Sequence, residues 1–164
     1  MAKQITHHID VLKLMPPLQS AYRRHHSTET AVMKVLSDIY DNIDSGNVTL
    51  LGLLDLSAAF DTVDHDILLQ RLQTTFGIDG WVLKWLRSFL TDRTQVVAFR
   101  GSTSASTMLL HGVPQGSVLG PLLFLLYTAN IAAIVESHGV WICRLPSTAS
   151  TTAHCLIGCD ICMD

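Results

Sequence analysis

Residues 112–135 carry no charged side chain. Such a stretch has to leave water, so it marks the centre of whatever fold forms. A membrane or a protein core could receive it. Pro114, Gln115, Pro121, Thr128 and Asn130 interrupt it. Its densest apolar run also reads as shorter than the ~20 residues a spanning helix needs. The expectation is therefore a buried helix over residues 118–127, headed by a Pro114-Gln115-Gly116 turn, with no membrane association. The whole chain has the same bias. Of its 164 residues, 48% are hydrophobic and 15% charged, and the mean hydropathy is +0.33. That suits one domain with a sizeable core, or a piece of a larger one, with apolar surfaces that expect neighbours.

The net charge of −3 does not announce a nucleic-acid binder, which would favour a basic chain. The cations are nevertheless grouped. Arg23 and Arg24 adjoin His25 and His26, and Lys84, Arg87, Arg93 and Arg100 share one short region. Either group can meet phosphate oxygens, or serve only as solvated helix ends and loops. The N-terminus lacks the apolar core of a secretory signal, which implies an intracellular protein, in nucleus or cytoplasm. All four cysteines, Cys143, Cys155, Cys159 and Cys162, lie near the C-terminus. With His154 they invite a zinc reading, but the spacing matches no familiar finger or knuckle, so free thiols in a poorly ordered tail are expected.

Periodicity places the other elements. A break is expected at Pro16-Pro17. Ser27-Thr28-Glu29-Thr30 reads as a helix start, followed by Val32, Val35, Leu36, Ile39, Tyr40 and Ile43 as one apolar stripe that ends at Ser45-Gly46. Residues 48–56, VTLLGLLDL, look like a strand buried on both faces. Asp64 and Asp79 can cap two further helices. The first has a face of Ile67, Leu68, Leu72 and Phe76 and stops at Gly77. The second carries Trp81, Val82, Trp85, Leu86 and Phe89. Residues 94–99 and 107–110 read as strands joined by a small-residue turn. Beyond Ile131 periodicity fades, and residues 144–153 suggest no packed element.

Asp55 interrupts the apolar strand near its end, and an unpaired buried carboxylate is costly. A cap, a salt bridge or a magnesium ligand would each explain it. The surrounding residues narrow the choice. LLDLSAAFDTVDH, residues 53–65, resembles motif A of reverse transcriptases from non-LTR (LINE-type) retrotransposons. GVPQGSVLGPLLF, residues 112–124, resembles their motif B, and QSAYRRHHSTET, residues 19–30, is similar to a segment of their fingers.

The resemblance implies an α+β fold, a partial polymerase palm with part of the fingers, truncated at both ends. The division it implies is a fingers fragment over 1–46, a partial palm with motifs A and B over 47–135, and a non-family, poorly ordered tail over 136–164. It implies RNA-directed DNA synthesis with Mg2+, an RNA template, a DNA primer and deoxynucleoside triphosphates. Asp55 would be the catalytic metal-binding aspartate, and the Leu56 carbonyl would add a metal ligand. Phe60 would be the aromatic gate beneath the incoming sugar. Pro114, Gln115 and Gly116 would shape the nucleotide floor, and Arg23 or Arg24 would touch nucleic acid.

Motif C is where the chain departs from that family. Two metal ions ~3.5–4 Å apart serve this chemistry, and at an effective dielectric near 20 they repel by roughly 17 kcal/mol. The family meets that repulsion with one motif A aspartate and two adjacent aspartates of motif C. After Glu136 the carboxylates here are Asp160 and Asp164, which are not adjacent. The expectation is a palm without the motif C hairpin or thumb, inactive by itself, with the motif A strand left as an unsatisfied edge. A non-catalytic nucleic-acid-binding fragment is the alternative.

Overall fold

The computed structural model describes residues 1–16, 19–56, 58–138, 140–145 and 153–161, with side chains outside the description at 53–55, 140–145 and 153–161. In chain order the elements are α1 (Ala2–Val11), α2 (Thr28–Asp44), β1 (Val48–Leu56), α3 (His65–Thr74), α4 (Gly80–Leu90), β2 (Arg93–Gln95), β3 (Ala98–Phe99), β4 (Ser102–Thr103), β5 (Thr107–Leu109), α5 (Leu119–Thr128), α6 (Ile131–Glu136), β6 (Val140–Leu145) and β7 (Ala153–Ile161). The mixture of helix and strand agrees with an α+β chain. It divides into two compact units, Met1–Ile9 with Phe60–Tyr127, and Asp10–Ala59 with Thr128–Asp164.

The first unit is built on α3, α4 and α5. Asp64 caps α3, its carboxylate accepting the Ile67 N–H at 2.9 Å, and Asp79 caps α4 through Gly80 N–H at 2.6 Å. Gly77 ends the α3 segment at φ +63°, as the sequence suggests. Leu68, Leu69, Leu72 and Phe76 are buried with Leu86 and Leu90 of α4, and Leu123 to Leu126 of α5 complete the core. Two expected faces are rotated. Ile67 is exposed while Leu69 is buried, and α4 buries Leu86 and Leu90 while Trp81 and Trp85 face solvent. A short helix needs only one stripe inside, and the leucines fit it better than bulky indoles. The two expected strands become two short antiparallel ribbons, β2 with β5 and β3 with β4.

In the second unit Ser27 caps α2 in a reciprocal capping box with Thr30, and the helix gives way at Ser45 and Gly46. The expected single stripe is split. Ala31 and Val35 are buried, whereas Val32, Leu36, Tyr40 and Ile43 are exposed. The sheet is antiparallel in the order β1-β7-β6, with α2 against β1 and β6.

Two expectations change here. The strand over 48–56 forms, but Val48, Leu50, Leu51 and Leu56 are exposed, because β1 lies at the edge of a three-stranded sheet. The sequence suggests a tail with no stable element and a β1 with an unsatisfied edge, and β1 does lie at the sheet edge, paired on one side. The tail forms strands instead, and β7 pairs with β1 from Val48↔Ile161 to Leu56↔Ala153. Both tail strands are rich in apolar residues with no helical period, and pairing satisfies the backbone groups along one side of β1. The low-complexity expectation for 146–152 lies outside the described residues.

Residues Leu119–Glu136 reach membrane-spanning length and hydropathy by composition alone, contrary to the expectation that this run is too short. Leu119 and residues 123–126 are buried, as a core helix requires.

Candidate nucleotide site

The turn after β1 and the approach to α5 are stitched together in the first unit. Val113 N–H donates to the Phe60 carbonyl at 2.8 Å, and Gly112 N–H donates to the Val63 carbonyl at 2.8 Å. His65 Nε2 lies 2.8 Å from the Gly112 carbonyl, which can only accept, so the Nε2-protonated form makes this bond. The Arg93 guanidinium donates to the same carbonyl and, from Nε, to the Leu90 carbonyl at 2.8 Å. Burial pushes the Arg93 pKa below the ordinary arginine value. Backbone bonds on either side and two side-chain donors therefore fix Gly112.

Only glycine suits that place. Gly112 sits at φ +86°, and a Cβ there would lie 3.0 Å from both Asp61 Cα and the Phe60 carbonyl oxygen. Gly116 has φ +74°, which glycine adopts without strain, and a Cβ there would meet open space.

Side chains carry the same junction outward. Gln115 Nε2 donates to both carboxylate oxygens of Asp61, at 2.9 and 3.1 Å. Its amide nitrogen is thereby committed to Asp61, and its Oε1 remains the acceptor end. Phe60 is half-buried and meets Phe124 of α5 edge-to-face, with ring centroids 5.2 Å apart. Ser117 donates from Oγ to the Pro114 carbonyl at 2.6 Å and accepts the Gly120 N–H at 2.9 Å, which secures the start of α5. At the other end of α5, Arg71 donates to the Tyr127 carbonyl and lies 5.0 Å from the Tyr127 ring centroid.

Thus Phe60, Pro114, Gln115 and Gly116 fall in one junction. Sequence reasoning misses Asp61, Gly112 and His65, and names Arg93 only as a cation able to meet phosphate. Asp61 directly follows Phe60, and Gly112 opens the second motif, so adjacency is the available signal. Asp55 lies in β1 opposite His154 of β7 in the strand register, and its side chain is outside the described residues. Leu56 is the last residue of β1 and is exposed. Arg23 and Arg24 are exposed in the loop before α2, where the Arg23 carbonyl accepts the His26 N–H at 3.2 Å. Among the described residues no group of three or more His, Cys, Asp or Glu side chains comes together to hold a metal. The zinc reading on His154, Cys155, Cys159 and Cys162 concerns side chains outside the description.

Residues 1–145 match the family model described as reverse transcriptase (RNA-dependent DNA polymerase). The chain is 34% identical over 119 residues to the probable RNA-directed DNA polymerase from transposon BS of Drosophila melanogaster, covering 73% of this chain and 13% of that protein. It is 31% identical to the RNA-directed DNA polymerase from mobile element jockey of the same fly, covering 74% of this chain and 13% of the relative. For the probable RNA-directed DNA polymerase from transposon X-element, also of D. melanogaster, identity is 33%, over 80% of this chain and 14% of the relative. The chain thus spans about one seventh of the length of these relatives or less. Matched along most of its length, from α1 through β6, the chain belongs to the reverse transcriptase family as a fragment of the non-LTR retrotransposon type.

Proposed function

We propose that this chain is the part of an RNA-directed DNA polymerase that forms the nucleotide floor, and that it does not extend a primer by itself. The parent activity in this reading adds deoxynucleotides to a DNA primer on an RNA template by two-metal nucleotidyl transfer, using Mg2+. The observation that supports it is the junction of residues 60–65 with residues 112–117, above all the paired bonds from Gln115 to Asp61. The half-buried Phe60 ring, held against Phe124, would bar a 2'-hydroxyl by bulk. Pro114, Gln115 and Gly116 would line the floor beneath the base pair.

Mg2+ would supply charge neutralisation and nucleophile activation when bound. Asp55 and the Leu56 carbonyl are the residues of this chain proposed to meet it. The carboxylates needed beside them are not provided. In the strand register the residue opposite Asp55 is His154, and no adjacent pair of acids follows motif B. In this reading the residues present do not complete a two-metal site. In the same reading residues 1–46 belong to the fingers and residues 47–135 to the palm, and Arg23 or Arg24 touches nucleic acid.

Photolabelling tests it. A photoreactive deoxynucleoside triphosphate should label peptides containing Phe60–Asp61 and Pro114–Gly116, and excess unlabelled deoxynucleotide should suppress the label. Labelling spread evenly over the chain would refute the floor. The alternative, nucleic-acid binding without nucleotide binding, draws on the exposure of Arg23 and Arg24. It expects RNA binding that weakens with salt and on Arg23→Gln/Arg24→Gln, with no protected label.

A further inference from the structure

The motif A strand is paired along one side only. β1 stands at the end of the order β1-β7-β6, so alternate backbone N–H and C=O groups of its nine residues face outward, with no strand among the described residues to receive them. That is long for an edge, since strands commonly run to about five or six residues. Proteins blunt such edges with a proline, a lysine or a bulge. β1, VTLLGLLDL, has no proline and no basic residue, and its ladder with β7 runs unbroken from Val48↔Ile161 to Leu56↔Ala153.

Both faces beside that edge are open. Leu50 and Leu51 are neighbours, so they stand on opposite faces of the sheet, yet they are 62% and 41% exposed. Val48 and Leu56 at the two ends are exposed as well. A leucine-rich edge with solvent on both faces costs free energy unless another strand joins it.

The order of residues says which strand fits. Gly52 is the middle of β1, with four residues on either side. An antiparallel copy turned about Gly52 pairs every position of the strand. It sets Leu50 against Leu54, Leu51 against Leu53, and the acid Asp55 against Thr49. Apolar residues thus meet apolar residues, and no charge meets its like. Moving the two-fold toward Asp55 shortens the ladder and brings the two acids together, and like charges directly opposite are destabilising. The full ladder makes about eight to ten backbone hydrogen bonds, which matches the ~10 of an ordinary protein–protein interface.

The geometry points to β1 as a self-association edge. Two copies of this chain pair their β1 strands antiparallel about Gly52 and join two three-stranded sheets into one. The contact is isologous, so it closes at two copies along this edge. It needs neither nucleotide nor metal and stands apart from the junction of Phe60 and Gln115.

Sedimentation velocity of the full chain over a concentration series tests it, together with a register-specific cross-link. The chain should pass from monomer to dimer with rising concentration and stop there. Leu50→Lys sets a charge against a leucine twice in each dimer and should weaken dimerisation about tenfold or more, with unchanged circular dichroism. Gly52→Cys brings the two introduced thiols opposite each other, at Cα separations of ~4.5–5.5 Å that a disulfide spans. Mild oxidation should then give a covalent dimer in which mass spectrometry finds residue 52 linked to residue 52, distinct from any link through the native cysteines. Leu56→Cys should not link to itself, since the register sets the two thiols about eight residues, or ~27 Å, apart. The cross-link needs no loss of dimer, so a folding fault in Leu50→Lys leaves the test intact. A chain that stays monomeric at every concentration overturns the proposal. A folded Leu50→Lys that dimerises as the wild type does places the contact elsewhere and also overturns it. Growth beyond dimers, or self-linking of Leu56→Cys equal to that of Gly52→Cys, overturns the closed pair and its register.

Discussion

At the scale of single residues, the junction rests on two positions of different kind. Gly112 is a steric necessity, since its φ of +86° and the 3.0 Å approach to Asp61 and Phe60 leave no space for a side chain. Gly112→Ala should therefore destabilise the chain by about 2 kcal/mol or more, read from urea unfolding, with larger loss if the backbone cannot shift. Asp61 is a positioning group. Asp61→Ala should cost little stability, about 1 kcal/mol or less for exposed hydrogen bonds, yet reduce photolabelling at residues 114–116, because the Gln115 amide loses its anchor. Asp61→Asn, which keeps an acceptor for the Gln115 N–H, should recover much of it. The sequence discloses Phe60, Pro114, Gln115 and Gly116 through two motifs that carry recognisable order. It does not disclose Asp61 or Gly112, because their importance lies in what stands opposite them across about fifty residues of chain, and one-dimensional pattern carries no such distance.

Elements are legible where local chemistry decides and less so where packing does. The caps at Ser27, Asp64 and Asp79 lie within a turn of the groups they satisfy, and each is found where the sequence suggests. The buried stripes of α2, α3 and α4 differ from expectation by a position or more, since several apolar residues compete for the inside and neighbouring elements choose among them. For α2, hydrogen bonding from Ser27 and from backbone holds the Glu29 carboxyl below its ordinary value of 4.5. Its folded pKa is depressed, so the associated stability is present above the unfolded pKa and lost as pH falls through the folded one. Acid titration of helicity should show this loss at and below the ordinary glutamate range, and Ser27→Ala should lessen it, leaving the part due to the backbone bond. The same substitution should cost about 1 kcal/mol near neutral pH through the lost cap. In the first unit, Arg71 ties α3 to the last turn of α5. Arg71→Ala should lower stability by about 2 kcal/mol, given a charged donor on a carbonyl, and Arg71→Lys should recover part of it while lacking the planar contact with Tyr127.

For the whole molecule, the family is legible and the sheet is not. Motifs A and B indicate the family before any coordinate, since their residues serve close contacts that few sequences provide. The pairing of β7 with β1 is hidden, because residues 153–161 have no strict alternation and follow a low-complexity run. That pairing sets His154 opposite Asp55. On the proposed reading the molecule carries a nucleotide floor and an incomplete metal site. Primer extension on an RNA template with Mg2+, comparing the chain with Asp55→Asn, tests this most directly. No extended product is predicted from either protein. An extended product from the chain that disappears in Asp55→Asn would contradict it.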